Sequence, residues 1–251
     1  MGGASRNDRK RQQEEVAQRL SAAGITPPER RAPSTTLIVI GILVVVAVVA
    51  VVGVLFTRGS ANTASASYPL SASGAVITAG QPSAPVTVDV YVDYLCSHCE
   101  RFEQRYGDEL ITALNDGQIS ARFHPVTILD GRSDPPGYSS RAANAALCSV
   151  PAGIFPAYND KLFAEQPSMG SAGPSDDQLI AFGTELGASG DFADCVRSGS
   201  NGQAVAAATQ AAETDPVLGE DGGFGTPTVV VDGRKIDVSD GGWLTNAIAA
   251  G

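Results

Sequence analysis

Two of the chain's four cysteines lie three positions apart, in Cys96-Ser97-His98-Cys99, and their setting suits redox chemistry. Before them, residues 86–94 alternate along a β-branched and aromatic run behind Pro82 and Pro85, a strand pattern. After them, residues 100–114 carry Phe102, Tyr106, Leu110 and Leu114 at steps of four, a helix. The cysteines therefore open a helix directly after a strand. There, unpaired N–H groups and the helix dipole stabilise an anion on Cys96, while Cys99, one turn in, lies against it at disulfide-bonding distance. Cys96 is the expected exposed nucleophile and Cys99 the resolving thiol. An ordinary thiol of pKa ~8.5 is only about 3% ionised at neutral pH, so lowering it by ~2 units makes the thiolate the majority species. Each ~1.4 kcal/mol in favour of the reduced form raises the potential by ~30 mV, which makes the oxidised pair a stronger oxidant.

Further candidates surround this pair. His98, between the cysteines, is close enough as an imidazolium to stabilise the Cys96 thiolate further. His124, before Pro125 at a strand end, has no partner near it in sequence and reads as structural. Gly225-Thr226-Pro227-Thr228 puts a proline immediately before a strand, where a trans proline is common. A cis Thr226–Pro227 bond would instead turn the Thr226 backbone toward the reactive sulfur, and spacing alone leaves both readings open. Cys148 and Cys195 lie outside any CxxC. Zinc ribbons repeat the short-spaced pair and only one is present, so no metal is expected. In an oxidising compartment Cys148 and Cys195 are expected to bond to each other, closing a loop of about 48 residues that is worth at most roughly 4 kcal/mol in chain entropy.

The elements that position these residues occupy only part of the 251-residue chain. Residues 37–56 are apolar and uncharged, and as a helix at ~1.5 Å per residue they span the roughly 30 Å hydrocarbon core. Residues 1–36 hold seven Lys/Arg against four Asp/Glu, whereas residues 59–251 hold nine against 23. The positive-inside rule then leaves the N-terminus cytoplasmic and the bulk of the chain outside the cell membrane. Ala64-Ser65-Ala66 has the form of a signal-peptidase site, but the long leader and long apolar run favour a retained anchor. A main body at net −14 has no basic footprint for nucleic acid. The expected organisation is a basic tail at 1–36, a transmembrane helix at 37–57, a flexible linker at 58–75 and a folded part at 76–251. In the folded part a second strand falls at 118–129. Helices follow at 139–149, 155–166, 176–186, 189–198 and 201–213. Strands at 228–231 and 235–238 flank an Asp232-Gly233 turn, and a last helix spans 242–250, giving a mixed α/β (α+β) fold.

Taken together, these residues resemble the DsbA-like branch of the thioredoxin superfamily, most closely its membrane-anchored actinobacterial members. The resemblance covers about residues 76–251. It rests on Gly80-Gln81-Pro82-Ser83-Ala84-Pro85-Val86-Thr87-Val88, on Asp93-Tyr94-Leu95 before the CxxC, on Ala142-Ala143 to Cys148, on Leu162-Phe163-Ala164-Glu165-Gln166, on Phe192-Ala193-Asp194-Cys195 and on Gly225-Thr226-Pro227-Thr228. It implies a thioredoxin fold in two parts, 76–132 and 214–251, interrupted by a helical insertion at 133–213. It also implies a cis Pro227, substrate contacts at Ser97, Thr226 and Pro227, no cofactor, and oxidation of reduced or unfolded exported proteins. A DsbB-like or VKOR-like membrane protein is implied as reoxidant. No dimerisation domain is visible, so a monomer is expected.

Two departures stand out. Ser97 replaces the Pro of Cys-Pro-His-Cys, and Val90 occupies the strand position where many relatives bury an acid. Asp89 and Asp93 should face away from Val90, which leaves the base for Cys99 unnamed. A reductase or isomerase differing in poise, and a non-redox envelope binding or chaperone module, are the alternative readings.

Overall fold

The computed structural model describes residues 66–219 and 222–251, with a few helical, exposed positions between Arg11 and Ala22. The chain divides into two units, 1–61 and 62–251, of which the second carries every site residue. The expected membrane span at 37–56 lies outside the described residues. Among those described, no helix is long and apolar enough to cross a membrane.

The centre of the fold is β3 (Val86–Val92), whose alternating Val86, Val88, Val90 and Val92 are all buried. It pairs in parallel with β4 (Ile119–Pro125), and a parallel pair needs a crossover. That crossover is helix α1 (Ser97–Asn115), which buries Phe102, Tyr106, Leu110 and Leu114. β2 (Val76–Gly80) runs antiparallel to β4, and β1 (Leu70–Ser73) antiparallel to β2. On the other side β5 (Thr228–Val231) runs antiparallel to β3, with β6 (Arg234–Ile236) at the edge. The sheet order is β1-β2-β4-β3-β5-β6. β1 falls inside the segment expected to be a linker. Its Leu70 is half-buried and its other three residues exposed, so it shows no alternation and is held by pairing to β2 through a turn in which Gly74 takes φ 58°.

Between β4 and β5 the chain makes helices α2 (Tyr138–Ser149), α3 (Phe155–Ala164), α4 (Asp176–Glu185), α5 (Phe192–Ser198) and α6 (Gly202–Thr214). Alanine-rich α2 buries ten of its twelve residues, because small side chains let α3, α4, α5 and α6 pack around it. Tyr158 of α3 meets Phe192 of α5 edge-on at 5.4 Å, and Gly183 of α4 leaves the room that the Phe192 ring fills. Cys148 and Cys195 form a disulfide between α2 and α5, with Cα atoms 5.8 Å apart. Helix α7 (Trp243–Ala250) closes the fold by packing Trp243 against Phe102 and Tyr106 of α1.

Candidate active site

Cys96 and Cys99 are both free thiols, so the structure is that of the reduced pair. Cys96 is the cap residue of α1, with extended backbone (φ −84°, ψ 112°) and no side-chain oxygen in the capping place. The Cys99 thiol is the strongest influence holding the Cys96 thiol down to about 5; the Thr226 hydroxyl and the backbone N–H groups of Cys99 and His98 act the same way, and burial opposes them. Cys99 is driven the other way, mainly by burial and then by its neighbour's sulfur. At neutral pH the pair is therefore a Cys96 thiolate beside a Cys99 thiol, with one proton shared out unequally.

The cysteine expected to be exposed is in fact 6% accessible, while Ser97 and His98 are exposed. The cover comes from distant segments. The Thr226–Pro227 bond is cis, and the Thr226 carbonyl lies 3.2 Å from the Cys96 sulfur, accepting from it when it is a thiol. Gln166, just past α3, donates through Nε2 to the carbonyls of Tyr94 at 2.9 Å and Cys96 at 3.2 Å, tying the insertion to the redox loop. Tyr94 adds a buried bond from its hydroxyl to Asn159 at 2.9 Å.

Asp93 lies three residues before Cys96 and is fully buried. Its carboxylate accepts from the N–H of Leu95 at 2.9 Å, the N–H of Leu129 at 2.9 Å and the hydroxyl of Ser139 at 2.7 Å. It thus joins the redox loop, the segment after β4 and the first turn of α2. Burial pushes this carboxyl up to about 6 against those three bonds, and the Cys96 thiolate pushes in the same direction as burial. The backbone N–H of Asp93 acts on Cys99 as well, favouring the thiolate there. Asp89 is no substitute for the missing acid at Val90. It lies on the opposite face of β3, bonded to Arg122 and, at 2.7 Å, to His124, and these two hold its carboxyl below the usual range. His124, read as structural with no partner near it in sequence, finds two on β3, more than thirty residues back: Asp89 and the ring of Tyr91, stacked at 4.2 Å.

Beside the redox pair runs a cleft of about 770 Å³. It is lined by His98, Arg101, Phe102, Arg105 and Tyr106 of α1, by Thr226 and Pro227, and by Asp237, Val238 and Ser239, with Phe102 and Tyr106 the buried members of the set. Thr226, whose carbonyl lies 3.2 Å from the Cys96 sulfur, is also one of the residues lining this cleft. Among the described residues no group of His, Cys, Asp and Glu is arranged to hold a metal ion.

A CxxC capping the crossover helix between parallel strands, faced by a proline loop, defines a thioredoxin-fold redox protein. The thioredoxin family matches residues 72–248, and the chain belongs to it. DsbA from Mycobacterium tuberculosis in its reduced form aligns with TM-score 0.59 and 29% identity, over 68% of this chain and 86% of that one. The disulfide oxidoreductase DsbG of the same organism gives 0.60 and 29%, over 77% and 90%. MdbA, a thiol-disulfide oxidoreductase from Corynebacterium diphtheriae, shares the fold with TM-score 0.63 at 22% identity, over 74% and 96%. Among curated relatives, the serine/threonine-protein kinase PknE of M. tuberculosis is 30% identical over 176 residues, 67% of this chain but only 31% of the kinase. The chain thus spans under a third of that relative's length. With its cysteines so placed, the protein is a thiol–disulfide oxidoreductase of DsbA type.

Proposed function

We propose that the protein works as an oxidase outside the cytoplasm, held to the cell membrane by residues 37–56, and introduces disulfides into exported proteins. The observation that carries this reading is the split between the two sulfurs, Cys96 down to about 5 and Cys99 well above an ordinary thiol. A thiolate that is stable when reduced leaves easily and makes its disulfide oxidising. A client thiolate attacks the Cys96 sulfur of the disulfide, and the Cys96–Cys99 bond breaks as Cys99 departs and takes a proton. A second client thiolate then attacks the client sulfur of the mixed disulfide and expels Cys96 as its thiolate. Two electrons pass to the enzyme, and the client gains one disulfide.

The backbone of Thr226 beside Cys96 gives an extended client main-chain pairing that is blind to its side chains, which suits many clients. The His98 imidazolium adds a favourable charge near the thiolate when protonated. Return to the oxidised state falls to a quinone-linked membrane partner of DsbB-like or VKOR-like type.

Equilibrating the full chain in glutathione buffers tests the direction. The expected potential lies well above the ~−270 mV of thioredoxin, toward the ~−120 mV of DsbA. A value near thioredoxin's overturns the oxidase reading and leaves a reductase.

A further inference from the structure

Arg101 and Arg105 stand one turn apart on the wall of the cleft beside Cys96, both exposed. Like charges at this spacing repel one another. Neither guanidinium takes part in an ion pair among the described residues, although acids outnumber bases 23 to nine in residues 59–251. Arg105 is also held in place: its guanidinium lies 5.1 Å from the centre of the Tyr106 ring, and a side chain on Gly241 would run into it at 2.6 Å. The one acid among the lining residues, Asp237, is exposed and accepts from the N–H of Ser239 at 2.9 Å, forming no ion pair with either arginine. Two cations without an ion-pair partner among the described residues, one of them stacked on a ring, thus line the cleft beside the redox pair in a domain that is otherwise acidic.

We infer that Arg101 and Arg105 select client segments bearing a carboxylate close to the reacting cysteine. This rests on the oxidoreductase reading of the same site. The two residues lie five and nine positions beyond Cys96, about 7 and 13 Å along the helix. An extended client advances ~3.3 Å per residue, so its carboxylate belongs about two to four residues from its cysteine. The apolar lining, Phe102 and Tyr106, takes the intervening side chain.

The test uses the full-length Cys99→Ser protein and three single-cysteine peptides activated as thionitrobenzoate disulfides. They carry Glu, Gln or Lys at the positions two to four residues on either side of the cysteine. Cys96 thiolate attacks the peptide sulfur, the peptide becomes linked to Cys96, and thionitrobenzoate leaves with the bonding electron pair and is read by its colour. Each rate is divided by that of the same peptide with mercaptoethanol, which cancels the effect of the charges on the peptide's own disulfide. The Glu peptide is expected to react about tenfold faster than the Lys peptide at low ionic strength, as two exposed charge pairs allow, and within about twofold at 1 M salt.

Arg101→Glu/Arg105→Glu should invert the order, and Gly241→Ala, which displaces only Arg105, should reduce it. Equal rates for the Glu and Lys peptides, or an order unmoved by the double substitution, overturn the inference while leaving the oxidoreductase reading intact. A Gln peptide that gains nothing over mercaptoethanol overturns client docking at this site, and the inference with it.

Discussion

The two cysteine pairs of this chain show how the same element is made reactive in one place and inert in another. Cys148 and Cys195 are 47 positions apart on separate helices, joined, and wrapped by amides: Asn201 donates to the Cys148 sulfur at 3.4 Å and is itself bound by Asn144 at 3.1 Å. Cys96 and Cys99 share one helix start and are also surrounded by donors, but here the donors select between two sulfurs. Donors around a bonded sulfur have no charge to act on. Around a free pair they decide which sulfur holds the negative charge. The insertion's disulfide therefore serves rigidity, and the loop before α1 serves chemistry.

Substitutions that separate these roles should separate cleanly in the measurements. Cys96→Ser is expected to abolish thiol–disulfide exchange, and retained catalysis of client oxidation would undo the whole contrast. Next in size, replacing Cys148 and Cys195 together by Ala should cost up to ~4 kcal/mol of stability in denaturant unfolding. The Cys96 titration, followed by thiolate absorbance, should stay near 5 in that variant. A shift by more than a unit would mean that the insertion tunes the redox sulfur. Asp93 is the residue that spans both regions. Asp93→Asn keeps the shape but sets an amide N–H against the Leu129 N–H, leaving buried donors unpaired at a cost of about 1–3 kcal/mol.

That substitution also has a pH signature. The Asp93 carboxyl is raised from 3.8 to about 6 in the fold, so the unfolded chain loses this proton first as pH rises. Stability should fall between about pH 4 and 6, and Asp93→Asn should remove that fall. Cys96 acts with opposite sign in the reduced form alone: its contribution is complete above the unfolded value of 9 and is lost as pH drops through about 5. Subtracting the unfolding curves of the oxidised and reduced proteins should therefore leave a reduced-form stability that rises from pH 5 to 9. A flat difference would contradict the depressed Cys96.

Much of the frame was legible from local patterns. β3, α1, the β5–β6 hairpin and the insertion helices follow from periods of two and near four, which neighbouring residues carry by themselves. β1 was not legible, because Leu70 alone of its four residues packs inward. The CxxC announced itself by spacing, whereas its cover did not. Gln166 lies 70 residues from the Cys96 carbonyl that it binds, and Asp93 finds Leu129 and Ser139 at 36 and 46. Nothing in a short window marks a glutamine or an aspartate for such work. The accessible nucleophile expected from the helix start alone is buried for the same reason, since Thr226 arrives from 130 residues away.

The smallest effect expected sharpens the comparison furthest, because it asks which donor does the selecting. Thr226→Val preserves shape and the backbone carbonyl at 3.2 Å but removes the hydroxyl that favours the Cys96 thiolate. Losing one such bond should raise the Cys96 titration by about one unit. His98→Ala leaves the backbone N–H at position 98 in place and removes only the imidazole, so its effect reports the imidazole's charge alone. If Thr226→Val moves the titration and His98→Ala moves it less, the thiolate is held chiefly by the hydroxyl and backbone groups that the fold fixes around it. The reverse order would make the His98 imidazole the main support of the thiolate and of the oxidising strength.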